Sequence, residues 1–172
     1  MRSRPPASST ACRRRAPQSS KRSFHADDED LAEGFVGDVL ARAAAAFEPL
    51  GIAPLEGQSR FEDGGAHRVD VGAQTWPLMS QAEIERDRED DQPGLSWGLV
   101  GARLLRHLNQ RVAATGRSDR FYSVYGGNDA AVLVLTPPML DAIRRHAGVH
   151  VSQLPYERSD EWPLFGLPLP PR

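Results

Sequence analysis

Cysteine is nearly missing: Cys12 is the single one in 172 residues. That excludes an internal disulfide framework and a Cys-rich zinc site. Long apolar runs are missing too. Nothing approaches the roughly 18 consecutive apolar residues that a membrane-spanning helix needs. Aromatic residues make up only 7% of the chain, and lysine occurs once, at Lys21, against twenty arginines. Such a bias toward arginine and alanine is what a GC-rich gene produces, so arginine abundance does not by itself signal phosphate recognition. Acidic residues are absent before Asp27. A chain of this length makes one ordinary domain and is too short for a complete hydrolase sheet or a barrel enzyme.

What is present is unevenly placed. Residues 1–26 carry seven basic side chains and no acid, 7 − 0 = +7, whereas residues 27–172 carry 14 basic and 23 acidic ones, 14 − 23 = −9. A basic tail therefore precedes an acidic body. The tail is rich in Arg, Ser, Ala and Pro, lacks apolar periodicity and is expected to be disordered. Its acid-free composition matches a transit peptide, but Pro5, Pro6 and Pro17 spoil the amphipathic helix such a peptide forms. Nucleic acid is a partner only through this tail, by way of Arg13, Arg14 and Arg15.

Along the body, acids at 27–30 suit a helix start. Leu31, Phe35, Val39, Ala43 and Phe47 then recur every fourth residue, which predicts one helix closed by Pro49 and Gly51. Short strands are expected at 59–62 and 67–72 around Asp63-Gly64-Gly65, with a third over 73–78 ending at Pro77. Ser80-Gln81-Ala82-Glu83 fits a capping box for a short acidic helix. Trp97, Val100, Leu104, Leu108 and Val112 mark a second amphipathic helix at about 96–114, with Arg103, Arg106 and Arg111 off its stripe and solvated.

Residues 120–125 and 130–136 read as a hairpin around Gly126-Gly127-Asn128-Asp129. The second arm is apolar on both faces, as in a central strand covered on both sides. Thr136 and Pro137 open a further helix with Met139, Leu140 and Ile143 inward. A last strand is expected at 149–153. Residues 154–172, rich in proline and aromatics, form a strap across the surface. The sum is an α+β fold: a single domain over 27–153, with an antiparallel sheet packed against three to four helices.

Chemistry-bearing patterns are sparse. Gly94-Leu95-Ser96-Trp97-Gly98 matches the nucleophile-elbow spacing, but no buried strand precedes it. His146 and His150 are four apart, with a helix-ending Gly148 between them and no H-E-x-x-H arrangement. Asp87, Glu89, Asp90 and Asp91 lack the glycine and the final glutamate of a calcium loop. No metal site, catalytic residue or cofactor is expected. The candidate partner-binding residues are Glu83, Glu85, Asp87, Glu89, Asp90 and Asp91 on the acidic segment, Tyr122 and Tyr125 on the hairpin, and Asn128 and Asp129 at its tip. The acidic helix start at 27–33 extends that surface, and Trp97 or Trp162 would add an anchor if exposed.

Residues 120–138, RFYSVYGGNDAAVLVLTPP, with Trp162-Pro163, resemble an uncharacterised bacterial family of small α+β proteins in which an aromatic strand runs into G-G-N-D and a second strand ends in L-T-P. Ala130-Ala131 departs from the glycine-rich second arm of that family. The resemblance covers about the last 75 residues and implies no activity. In size and charge, the chain is also analogous to toxin-immunity proteins. The expectation is a cytoplasmic, non-enzymatic protein-binding module, immunity-type, docking a basic protein partner. The alternative is a small hydrolase pairing Asp129 with His107 or His67.

Overall fold

Asp27 lies in extended backbone, and its carboxylate accepts from the amides of Glu29 (2.8 Å) and Asp30 (3.4 Å), which starts α1 at Asp28–Ala32. The four-residue stripe predicted one helix from here to Phe47. The computed structural model, which describes residues 21–89, 95–125, 130–146 and 148–160, breaks it in two. Gly34 takes φ +100°, a conformation open to glycine, and α2 begins again at Val36–Phe47. The break rotates Phe35 off the stripe. Leu31, Val39, Ala43 and Phe47 are buried, while Phe35 is 48% exposed.

Two three-stranded antiparallel sheets flank these helices. One consists of β2 (Gly57–Phe61), β3 (His67–Val71) and β4 (Gln74–Met79), in that order. On β3, His67, Val69 and Val71 point into the core and Arg68 and Asp70 outward. Pro77 does not end β4 as expected. It sits on an edge strand, where a missing amide costs no ladder bond, and a register shift opposite His67 and Arg68 carries the pairing on to Met79.

The second sheet has the order β1 (Ser23–His25), β6 (Ala131–Leu135), β5 (Arg120–Val124). β1 falls inside the segment 1–26 assigned to the tail. Three residues carry no readable period, yet Phe24 is buried and pairs with Val132. The expected tail therefore loses its last residues to the sheet, and residues 1–20 lie outside the described ones. β6 is the central strand, as its two apolar faces required. Phe24, Phe121, Val132 and Val134 join the main core on one face. On the other, Tyr122 and Leu135 pack with Leu140 of α5 (Pro137–Arg145), backed by Leu133 and Ile143. Met139 is exposed rather than inward.

α3 (Gln81–Glu89) is short and has no buried residue. α4 (Leu95–Ala114) is the long helix: Val100, Leu104, Leu108 and Val112 fill the core, and the helix touches α1, β4 and β5. Phe121 sits at the centre, edge-on to Phe24 (6.1 Å) and Phe47 (6.0 Å). The expected last strand is instead a single 3-10 turn at Val151–Gln153. Beyond it Tyr156 exchanges both backbone hydrogen bonds with Ser123, which ties the C-terminal segment to the edge of β5. The architecture is an α+β single domain.

Candidate functional site

The acidic segment is less open than its sequence implies. Ser80 and Glu83 form the capping box: the Ser80 amide and hydroxyl each donate to Glu83 Oε2 at 2.8 Å. The same carboxylate takes two hydrogen bonds from Arg103, at 2.8 and 2.5 Å. Arg103, expected in solvent, is mostly buried. It also donates to the Leu78 carbonyl (3.1 Å) and Asp160 (3.3 Å), because α3 folds back over its position on α4. The Arg103 hydrogen bonds hold the Glu83 carboxyl down to about 2, against the opposing effect of burial, with Ser80 assisting. Glu83 is thus a structural carboxylate. Glu85 accepts from Gln81 and stays exposed; Asp87 is half-buried and Glu89 exposed, with Arg86 and Arg88 between them. Asp90 and Asp91 lie outside the described residues.

The 27–33 segment divides in the same way. Asp28 is buried and held by Arg158, Nη1 to Oδ1 and Nη2 to Oδ2, both 2.5 Å. Asp30 pairs with Arg42 at 3.4 Å. Glu33 is exposed, with no ion pair among the described residues.

Of the expected aromatic anchors, Tyr122 is buried under α5. Burial, and then the charge of Glu157, push its phenol up from the ordinary value. Tyr125 is 47% exposed at φ +56°, and Trp97 is 40% exposed. Gly126, Gly127, Asn128, Asp129 and Trp162 lie outside the described residues.

His67 and His107 serve packing. His67 is fully buried, its Nε2 3.0 Å from the Ser59 hydroxyl and its ring stacked under Phe61 at 4.5 Å. Its Nδ1 has no partner among the described residues. Burial lowers its pKa to about 4, so it is neutral at pH 7. His107 stacks on the buried Trp76 at 4.8 Å, and Arg111 lies over the same indole at 5.3 Å. Burial, foremost, lowers the His107 pKa as well. Ser96 falls inside the first turn of α4, and residues 90–94 before it lie outside the described residues. His146 ends α5, and no group of His, Cys, Asp and Glu able to hold a metal occurs among the described residues.

The sequence reading missed one surface feature. Phe61 is 51% exposed and lies against Gly34: a Cβ on Gly34 would come within 2.9 Å of the ring. The half-exposed Phe35 is the next residue. Glu33, Asp38 and Asp63, near these residues in sequence, are exposed and form no ion pair among the described residues. The signal was Gly34 itself, a glycine inside a helical stripe, which marks a break and displaces the residue after it.

A separate open cleft of about 580 Å³ is lined by Pro54–Gln58, Asp70, Val71, Gly72 and Arg111. Its lining carries one arginine and two acids, Glu56 and Asp70, so it offers no single-signed binding surface. Within the described residues, these features define an α+β domain with a charged surface and two half-exposed phenylalanines. Compared with family models, with curated proteins and with solved structures, the chain matches none.

Proposed function

We propose that this chain is a non-enzymatic protein-binding module that docks a basic partner. One observation carries the reading. Residues 27–172 carry 14 basic against 23 acidic side chains, so pairing among them still leaves a net −9, and Glu33, Asp38, Asp63, Glu85 and Glu89 are exposed without an ion pair among the described residues. Such a field speeds encounter with a positively charged protein and repels acidic competitors. An immunity-type role, with a basic toxin as the partner, is the particular case of this reading.

The hydrolase alternative has less behind it. His67 is shielded by Phe61 and His107 by Trp76, and neither has a carboxylate on its ring among the described residues. A neutral histidine with no orienting acid is a poor start for general base catalysis.

The test is association of the full chain with poly-arginine, poly-lysine and poly-glutamate over a salt series. Binding to the polycations that weakens steeply with salt is expected. Stronger binding to poly-glutamate would make residues 1–26 the active element and refute the reading.

A further inference from the structure

We infer that the α1–α2 break and the end of β2 form the docking notch, and that its occupant is an arginine-bearing segment of the basic partner. The inference rests on the proposed binding reading and names its surface. Phe35 and Phe61 are each about half exposed, although a four-residue stripe and an inward-facing strand position would normally bury them. Phe61 is in register with His67, on the inner face of the sheet, and it closes the core at Gly34 with one ring face on His67. Half-exposed phenyl rings with exposed carboxylates close in the chain suit a guanidinium: its plane stacks on an aromatic face while its edge donates to carboxylates. The carboxylates stand at the right places in the chain. Glu33 precedes Gly34, the Asp38 amide bonds the Phe35 carbonyl at 3.1 Å, and Asp63 is two residues past Phe61. The nearby basic groups are committed elsewhere: Arg42 to Asp30, Arg60 to Asp70 and Arg68 to Glu62. The acidic helix α3 has no exposed aromatic and carries its own Arg86 and Arg88.

The experiment uses the full chain with deca-arginine and deca-lysine peptides, read by calorimetry, with circular dichroism as a fold control. Wild type should bind deca-arginine more tightly than deca-lysine. Phe35→Ala, and separately Phe61→Leu, should weaken deca-arginine by about tenfold, the loss expected for an aromatic anchor, and deca-lysine much less. Glu33→Lys with Asp38→Lys should weaken both peptides more than Glu85→Lys with Glu89→Lys does. If the α3 reversal is the more damaging pair and the phenylalanine variants bind like wild type, the notch is refuted while the binding reading stands. If wild type binds neither peptide, the binding reading itself falls. If binding appears only in an Arg13→Ser, Arg14→Ser, Arg15→Ser chain, the protein's own basic segment is the occupant, and the assignment to a partner is overturned.

Discussion

Arg158→Met should be among the most damaging single substitutions in this protein. The side chains of Arg158 and Asp28 are 2% and 4% exposed and meet through two hydrogen bonds of 2.5 Å. Burial alone disfavours the charged guanidinium, but the hydrogen bonds and charge of Asp28 outweigh it and raise its pKa above the ordinary value. Removing the arginine strands a carboxylate in the interior, which costs about 3–5 kcal/mol. For a chain of this size that is roughly 6–20 °C in Tm. Replacing both partners, Asp28→Leu with Arg158→Met, should recover most of the loss, because no buried charge is left alone. Gly101 supplies an independent check. A Cβ there would collide with Arg158 Nη1 and Asp28 Oδ1. Alanine ordinarily stabilises a helix interior over glycine by about 1 kcal/mol. Here Gly101→Ala should destabilise the wild type, and the penalty should shrink in the double variant. Urea unfolding with a common slope measures each step. A cost below about 1 kcal/mol for Arg158→Met, or a stabilising Gly101→Ala in the wild type, would refute the buried pair.

Further outcomes follow from other buried polar groups. His67 titrates at about 4 when folded and near 6.5 when unfolded, so the unfolded chain binds the extra proton between those values. Stability should fall as pH drops from 6.5 to 4, by up to about 1.4 kcal/mol per unit from this group, and His67→Gln should remove that component. Glu83 acts in the same direction at lower pH: its carboxyl is depressed from 4.5 to about 2. Its contribution is fully present above pH 4.5 and is lost as pH falls toward 2, so Glu83→Gln should flatten the acid limb of a stability–pH curve. Asn109 on α4 accepts from the Phe121 amide (2.7 Å) and donates to the Phe121 carbonyl (3.2 Å). Asn109→Leu leaves both backbone groups without their partner and should cost about 2–3 kcal/mol in denaturant unfolding.

Those three groups also show where reading the chain stops working. The alternation of Val69 and Val71, the apolar run 130–135 and the stripe from Val100 to Val112 are local periodicities, and each became the element it announced. Asn109 and Arg103 sit off the stripe of α4, where polarity normally means solvent. Their partners, Phe121 and Glu83, are 12 and 20 residues away, and no local period encodes that distance. β1 is the same failure in reverse. Three residues beside a basic tail have no pattern of their own, and they are a strand only because β6, more than a hundred residues later, presents an edge to Phe24.

How the fold disposes of each acid was illegible for a related reason. Charge density along the chain pointed to residues 83–91, but density counts carboxylates without asking whether the fold supplies their counter-ions. Glu83 is answered by Arg103, Asp160 by Arg106, and Asp28 by Arg158. What stays exposed is the remainder after this internal pairing, and Glu33 and Asp38 beside the α1–α2 break belong to it. At Gly34 the chain turns too sharply for Phe35 to reach the core, and Glu33 and Asp38, both exposed, flank it in sequence. In the docking notch proposed above, the pointer in the sequence is therefore an apolar stripe interrupted by a single glycine, and not a run of acids.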